Sequence, residues 1–311
     1  MKAIKTISPG SIEELLEILT EKLSLNGQTA FGGFQHGIAI SDSIIFGAPL
    51  DDTPSYKPGC GEGPKFVREA AYNIETMNIF NWRDLEEVCY HDAGDLDFER
   101  LKIIETASKI QEIQKIIDAI TRAGKRPITI GGEHTVMVGS RNSFKDCLYL
   151  IFDAHADLRS SYKDNPYSHA CASRRLLDPG YLEPDQLFQI GIRAVCPEEV
   201  KFTRQNKVIQ VLAPDFSGEN VRNVTRQLDD IASSYRGIYL SIDTDGFDPG
   251  FAPGVGTPEP FGIAPIDALK LLRDTNSPIL GADINEFNPR EDAGGITSVL
   301  CAKLLFYLLT K

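Results

Sequence analysis

The stretch Leu148-Tyr-Leu-Ile-Phe-Asp-Ala-His-Ala-Asp157 joins an apolar run to a cluster of metal-binding side chains. The run Leu148–Phe152 has the length and composition of a strand buried on both faces, as in parallel sheets that are covered by helices. Asp153, His155 and Asp157 follow at every second position. Because alternate residues of an extended chain point to the same side, their side chains are expected to converge. Crowded carboxylates need a cation to neutralise them, so this stretch predicts both a parallel sheet and a metal site.

Similar apolar runs alternate with helical patterns along most of the chain. This alternation predicts βαβ units and an α/β fold with a mainly parallel sheet. The predicted strands are Ser43–Phe46, Pro127–Ile130, Leu148–Asp153, Leu187–Ile192, Val208–Leu212, Ile238–Asp243 and Pro278–Asp283. The helix candidates between them are Leu101–Ala123, Glu219–Ser233 and Pro265–Arg273. No repeat or linker divides the sequence, so we expect one domain over residues 1–311, with residues 1–40 as its N-terminal extension. A Ser11-x-x-Glu14 capping box predicts a helix over Ser11–Leu23 in that extension.

The composition is typical of a globular chain with a sizeable core, with 42% hydrophobic and 24% charged residues. The net charge of −12 argues against nucleic acid and anionic membranes as partners, and it suits a small cationic substrate. The six cysteines contain no C-x-x-C pair and no secretory signal is visible. We therefore expect reduced thiols and a cytoplasmic protein. The most apolar run, Leu304–Leu309, is too short to span a bilayer.

Metal-binding side chains also follow other predicted strands. In open parallel sheets, functional groups gather beyond the carboxyl ends of the strands. The candidate ligands are His134, Asp153, His155, Asp157, Asp243 and Asp245. Their four carboxylates carry a charge of −4, which two divalent cations would balance. Oxygen and imidazole ligands without thiolate suit two Mn²⁺ ions, with Co²⁺, Ni²⁺, Fe²⁺ or Zn²⁺ as alternatives. Such a pair of cations activates water as a nucleophile.

Each signal also has a structural interpretation. Asp243 and Asp245 taken alone are more often a turn or a helix cap, and they do not fit an EF-hand, because Gly254 stands where its glutamate would be. Glu286 follows a predicted strand and is otherwise a surface acid, while His169 is otherwise a residue at a helix N-terminus. The Asp-x-His-x-Asp pattern at a strand end is the more specific signal.

Taken in order, these motifs resemble those of the ureohydrolase family, which contains the arginases and agmatinases. The resemblance runs from about Phe46 to the C-terminus. It is carried by Gly131-Gly-Glu-His134, Asp153-Ala-His-Ala-Asp157, Ser241-Ile-Asp-Thr-Asp-Gly-Phe-Asp-Pro249, Pro253-Gly-Val-Gly-Thr-Pro-Glu-Pro260 and Asp283-Ile-Asn-Glu-Phe-Asn-Pro289. Two further segments are similar to prokaryotic agmatinases in particular, namely Ser55-Tyr-Lys-Pro-Gly59 and Tyr167-Ser-His-Ala-Cys-Ala-Ser-Arg-Arg175.

The resemblance implies a three-layer αβα sandwich that assembles as trimers or hexamers and holds two manganese ions on the six candidate ligands. It also implies roles for individual residues in the reaction. Glu286 matches the acid that grips the substrate guanidinium, and Thr257 matches a neighbouring substrate contact. His169 matches a histidine that exchanges protons with solvent, and Asp157 is expected to pass a proton to the leaving nitrogen.

The reaction implied is the hydrolysis of agmatine to putrescine and urea, a step of polyamine biosynthesis. Leu158–Tyr162 lacks the Asn-bearing and Ser-Gly-Asn segments with which arginases bind the amino-acid end of arginine, so arginine is disfavoured. Aminopropylagmatine, guanidinobutyrate, guanidinopropionate and formiminoglutamate stay open as substrates. A deacetylase-like single-zinc hydrolase is disfavoured, because a site for one metal would leave His134, Asp157 and Asp245 unpaired. A metal-binding regulatory pseudoenzyme is disfavoured, because no candidate ligand is lost.

Two residues depart from the family pattern. Glu133 stands where Asp or Asn is frequent, and we expect little consequence because it is not a ligand position. Phe261 follows Pro260 at a position where Gly is common, and it is expected to reshape the rim of the substrate site.

Overall fold

A nine-stranded sheet forms the centre of the computed structural model, which describes residues 9–311. Its spatial order is β1-β5-β2-β6-β11-β10-β7-β8-β9, and all neighbours run parallel except the antiparallel pair of β1 and β5. A separate antiparallel pair is formed by β3 and β4. The strands in chain order are β1 (Leu23–Ser24), β2 (Ser43–Ala48), β3 (Met77–Asn78), β4 (Arg83–Asp84), β5 (Tyr90–Leu96), β6 (Arg126–Gly131), β7 (Leu148–Phe152), β8 (Leu187–Ile192), β9 (Ile209–Leu212), β10 (Ile238–Asp243) and β11 (Ile279–Asn285).

Helices cover both faces of this sheet. They are α1 (Pro9–Lys22), α2 (Gly63–Tyr72), α3 (Thr106–Arg122), α4 (Ala172–Leu176), α5 (Pro197–Asn206), α6 (Asn220–Ala232), α7 (Pro265–Asp274) and α8 (Ile296–Thr310). Alternate residues of β7 separate into two apolar clusters, with Leu148, Leu150 and Phe152 against one layer of helices and Tyr149 and Ile151 against the other. The α/β fold with a mainly parallel sheet is therefore confirmed.

Two predicted helices begin two or more residues away from the expected position in the structure. The helix expected from Leu101 starts at Thr106, because Lys102 lies in a turn with a left-handed φ of 55°. The helix expected from Ser11 starts at Pro9, so Ser11 lies within it and is not its cap. A proline fits the first turn of a helix, where no backbone N–H bond is lost.

The strand β5 was not predicted from the sequence. Its residues, YHDAGDL, include Asp and Gly, which disfavour strands. Asp92 is nevertheless fully buried in this strand, because the guanidinium of Arg68 in α2 donates two hydrogen bonds to it at 2.7 and 2.9 Å. Arg68 also forms an ion pair with Asp95. The cation that compensates Asp92 therefore comes from α2, which is separate from β5 in the sequence.

Four adjacent strands bring the candidate residues to one edge of the sheet. In the order β6-β11-β10-β7 they are followed by His134, Glu286, Asp245 and the segment Asp153–Asp157, respectively. Parallel strands end at the same edge, so residues far apart in the sequence become neighbours. Within residues 9–311, no helix is long and apolar enough to cross a membrane.

Candidate metal centre

One group of possible ligands surrounds the imidazole of His134. Its Nδ1 atom lies 3.1 Å from Asp153 Oδ2, 3.0 Å from Asp157 Oδ2 and 3.3 Å from Asp243 Oδ2. His134, Asp153 and Asp243 are buried and offer ligand atoms that all lie within 4.8 Å of one another. This spacing allows a single cation to reach all three residues.

A second group shares Asp153 with the first. Asp153, His155 and Asp245 offer ligand atoms within 4.8 Å of one another. His155 Nδ1 lies 3.1 Å from Asp245 Oδ2 and 3.7 Å from Asp153 Oδ1. Thr257 Oγ1 donates a hydrogen bond to Asp245 Oδ2 at 2.8 Å, so the predicted substrate contact lies beside this group. Because Asp153 belongs to both groups, the geometry allows two cations that share one carboxylate.

The Asp153 and Asp243 carboxylates of the first group are poorly compensated by the protein. Burial, together with Asp157, raises the pKa of Asp153 to about 7. Burial and the Asp245 charge raise the pKa of Asp243 well above its ordinary value. Burial opposes a charge on His134, but the Asp153 and Asp157 carboxylates raise the pKa of its imidazole well above the usual range. Such shifts arise where anions are crowded away from water.

The donor set fits a divalent cation. Asp153 Oδ2 is buried and has no hydrogen-bond partner within the described chain, although His134 Nδ1 lies nearby in unsuitable geometry. A buried oxygen without a partner is costly, and a bound cation would satisfy it. Carboxylate oxygens with two imidazoles and no thiolate are ligands typical of Mn²⁺ and related ions.

A series of hydrogen bonds behind His134, through Ser241 to Asp283, was not predicted from the sequence. His134 Nε2 lies 3.1 Å from Ser241 Oγ, and the Ser241 hydroxyl donates to Asp283 Oδ1 at 2.5 Å. Because that hydroxyl proton is used, Nε2 must carry the proton in the neutral ring, which leaves the Nδ1 lone pair facing the carboxylates. Histidine ligands are commonly oriented in this way. The signal available in the sequence was a pair of polar residues within otherwise apolar strands.

His169 and Glu286 form a pair at the cavity that borders the metal groups. His169 Nδ1 lies 3.2 Å from Glu286 Oε1, which also accepts the backbone N–H of His134 at 2.8 Å. Burial opposes protonation of His169, but the charge and hydrogen bond of Glu286 raise the pKa of the imidazole to about 9. The structure thus brings both predicted residues together beside the candidate ligands.

Glu133 supports this pair through Thr53. The Glu133 carboxylate accepts hydrogen bonds from the Thr53 backbone N–H at 2.7 Å and from Thr53 Oγ1 at 3.0 Å. Thr53 Oγ1 in turn accepts the backbone N–H of His169 at 3.0 Å. Burial is the main reason that the pKa of Glu133 rises to about 7. Glu133 belongs to neither ligand group, and its hydrogen bonds to Thr53 help to position the loop that carries His169.

A cavity of about 470 Å³ opens over the site. Its lining includes His155, Asp157, His169, Asp243, Asp245, Thr257, Glu259 and Glu286. Arg193 holds one wall, because its guanidinium donates to carbonyl oxygens of Asp245, Glu259 and Pro260 at 2.7, 2.8 and 3.1 Å. These hydrogen bonds therefore connect this wall to the residue that follows β8.

The fold, the two overlapping ligand groups and the acid–imidazole pair define a metal-dependent hydrolase. The chain belongs to the arginase family, whose model matches residues 41–310. The resemblance inferred from the motifs is therefore confirmed at the level of the family.

Individual relatives cover most of the chain. An N(1)-aminopropylagmatine ureohydrolase of Thermococcus kodakarensis is 36% identical over 85% of this chain and 88% of its own length. An agmatinase of Pyrococcus horikoshii is 35% identical over 88% of this chain and 92% of its own length. Among solved structures, the agmatine ureohydrolase of Thermoplasma volcanium superposes with a TM-score of 0.83 at 35% identity, covering 94% of this chain and 96% of that chain.

Proposed function

We propose that this chain hydrolyses the guanidinium group of agmatine to putrescine and urea, with two Mn²⁺ ions. The observation that carries the proposal is the sharing of Asp153 by two ligand groups beside a cavity that also holds Glu286 and His169. Under this proposal, the Glu286 carboxylate binds the guanidinium beside a binuclear metal centre. The agmatinases among the relatives support the same chemistry.

Glu286 orients the substrate in this proposal. Its Oε1 atom is engaged by the His134 backbone N–H and lies beside His169, which leaves Oε2 available for the guanidinium. Hydrogen bonds between a carboxylate and a guanidinium are charge-assisted and directional. The delocalised guanidinium is a poor electrophile, so holding its carbon in one place lowers the entropic part of the barrier.

Proton transfer falls to Asp157 and His169. Asp157 lies between the first ligand group and the cavity, where its carboxylate can carry a proton to the leaving nitrogen. His169 lines the same cavity and can exchange protons with solvent. Protonation of the leaving nitrogen by Asp157 lets the amine depart as a neutral molecule, and His169 connects the site to protons of the solvent.

Five of the six candidate ligands form the two groups that would hold the metal ions, with Asp153 common to both. Asp157 belongs to neither group, but its Oδ2 atom lies 3.0 Å from His134 Nδ1, and we propose it as the sixth ligand. Bound there, divalent cations supply a water nucleophile at neutral pH and stabilise negative charge that develops on the substrate. We further propose that the protein acts in the cytoplasm as a homo-oligomer, a trimer or a hexamer, in line with the resemblance on which these expectations rest.

A second candidate substrate is N1-aminopropylagmatine. It is favoured by the relative from Thermococcus kodakarensis that carries this activity in its name and is 36% identical to this chain. The same groups would act on its guanidinium, because the two compounds differ only in the tail beyond it.

Urea release tests the proposal directly. Protein reloaded with Mn²⁺ should release urea from agmatine, whereas chelator-treated protein should not, and arginine should be a much poorer substrate. Asp153→Asn should lower the number of bound Mn²⁺ ions per chain, since both groups lose a charged ligand, while Asp230→Asn on the exposed face of α6 is the matched control. The hydrolase proposal fails if the fully metallated protein releases urea from no guanidine, and the ligand assignment fails if Asp153→Asn keeps two ions.

A further inference from the structure

Phe261 has a backbone conformation that is costly for its type. Its φ is 65°, in the left-handed region where bulky residues are rare, and its side chain is 82% exposed. A strained residue normally persists because packing holds it or because it serves a ligand. Little packing of the Phe261 ring on its own chain compensates for the strain. Hydrogen bonds of the neighbouring residues hold the backbone in this conformation, and the exposed ring is left available to a molecule outside the chain.

The loop around Phe261 is held rigidly on both sides. Arg193 binds the carbonyl oxygens of Glu259 and Pro260, and the backbone N–H of Gly262 donates to Asp248 Oδ2 at 2.9 Å. The same Asp248 also accepts from Gly250 at 2.9 Å, which ties a second loop to the first. The backbone on both sides of the Phe261 ring is therefore held by hydrogen bonds.

The position of the loop relates Phe261 to the mouth of the cavity. Thr257 and Glu259 line the cavity, whereas Phe261 lies two residues further on and outside its lining. The Glu259 side chain is 40% exposed, and its Oε1 atom lies 3.9 Å from His155 Nε2. A ligand confined to the cavity would meet Glu259, and only a ligand that extends beyond the mouth would reach Phe261.

An acid followed by an aromatic ring at a rim suits an organic ammonium group. The carboxylate attracts the positive charge, and the face of the ring binds a cation that lies within about 6 Å of its centre. The Glu286 side chain, beside the candidate metal ligands, would bind the guanidinium at the other end of the substrate. The tail of the substrate is then the part that meets Glu259 and Phe261.

We propose that Glu259 and Phe261 form a rim clamp for the tail of the bound guanidine, and that Phe261 favours tails that carry a second amine over the single-amine tail of agmatine. The rim clamp rests on the proposed function. It deepens that function by assigning a specificity-determining residue at a position where the motif resemblance leads one to expect Gly.

The test compares kcat/KM for N1-aminopropylagmatine and agmatine in Mn²⁺-loaded protein. Phe261→Gly removes the ring and relieves the strain, whereas Phe261→Leu keeps bulk and removes the aromatic face. Both substitutions should lower the ratio of the two kcat/KM values by about two- to fivefold, as expected for an exposed cation–π contact, mainly through KM of the longer compound. Phe251→Leu, on the second loop tied to Asp248, is the matched control and should leave the ratio unchanged.

The outcomes separate the rim clamp from the proposed function. An unchanged ratio in both Phe261 variants, with agmatine still hydrolysed, overturns the rim clamp alone. A smaller particle mass by light scattering in Phe261→Gly, again with an unchanged ratio, also overturns it and assigns the ring to contact with a second copy. If the unsubstituted protein releases no urea from either compound, the proposed function itself fails. Thermal unfolding of Phe261→Gly at or above the temperature of the unsubstituted protein shows that the variant folds.

Discussion

At the scale of single residues, Asp157 and Glu286 share an unusual backbone conformation. Their φ values are 53° and 62°, both in the left-handed region, and both residues are buried at the candidate site. Such conformations cost free energy and tend to occur where the chain must aim a functional side chain. In each case the chain turns sharply after a strand, and the carboxylate is directed into the cavity instead of continuing along the sheet.

The pKa of His169 depends on Glu286. Glu286 raises the pKa of the imidazole to about 9 against a burial effect of opposite sign. Substituting Glu286→Gln removes the negative charge, so the pKa of His169 should fall below that of the unsubstituted protein. Proton NMR titration of metal-free protein measures the pKa of the His169 imidazole, and the variant His169→Asn assigns its signal. A pKa that is unaltered in Glu286→Gln would contradict the pairing seen in the structure.

The same pair links stability to pH. Because the pKa of His169 is raised on folding from its ordinary 6.5, its contribution to the free energy of unfolding is complete below about 6.5 and is lost as the pH rises through about 9. The difference in unfolding free energy between the unsubstituted protein and Glu286→Gln should therefore be larger at pH 6 than at pH 10. Urea denaturation at both pH values provides the comparison.

At the scale of elements, β10 and β11 carry polar residues into the interior behind the metal groups. Ser241 and Asp283 are paired across the two strands, and both are fully or almost fully buried. The two hydrogen bonds that connect Asp283 to Ser241 and Ser241 to His134 orient the imidazole from the side away from the cavity. The strands therefore contribute to the site through their interior as well as their ends.

Asp283→Asn should weaken metal binding although Asp283 is not a candidate ligand. Loss of such an outer hydrogen-bond partner typically reduces metal affinity by about 10- to 100-fold. Competition between the protein and a chelator for Mn²⁺ measures the change, with circular dichroism to show that the sheet is retained. Asp230→Asn again serves as a control on the surface of α6. Equal Mn²⁺ affinity in Asp283→Asn and the control would contradict this role.

At the scale of the whole molecule, the site joins segments that are distant in sequence. His134 and Ser241 are 107 residues apart, and His134 and Glu286 are 152 residues apart. Cations bound among these segments would link them and would neutralise repulsion between buried carboxylates. Metal binding is therefore expected to stabilise the folded chain as a whole.

Removal of Mn²⁺ should lower the unfolding temperature. A single site at a free-ion concentration 100 times its Kd adds about 2.7 kcal/mol to the free energy of unfolding. At about 2 °C per kcal/mol for a large domain, this corresponds to a shift of roughly 5 °C. Differential scanning calorimetry with and without Mn²⁺ tests the expectation, and Asp153→Asn should show a smaller shift. Identical unfolding temperatures in both conditions would exclude a metal site that is coupled to folding.

The sequence by itself determined the strands that are apolar throughout and the residues that follow them. Runs such as Leu148–Phe152 encode a buried strand locally, because their hydrophobic pattern depends only on neighbours along the chain. The clustering of His, Asp and Glu after strands was then predictable from the topology of parallel sheets. The family and the metal-dependent hydrolase chemistry followed from the same motifs. The single-domain organisation and the role of residues 1–40 stay predictions.

Only the tertiary structure decided features that depend on partners remote in the sequence. The order β6-β11-β10-β7 sets which strand ends are neighbours, and no local pattern encodes it. Asp92 can be buried in β5 because Arg68 of α2 compensates its charge. Glu133 acquires its role through Thr53, and Phe261 acquires its strained conformation through Arg193 and Asp248. In each case the deciding free energy comes from contacts between separate segments, which a sequence read one window at a time does not contain.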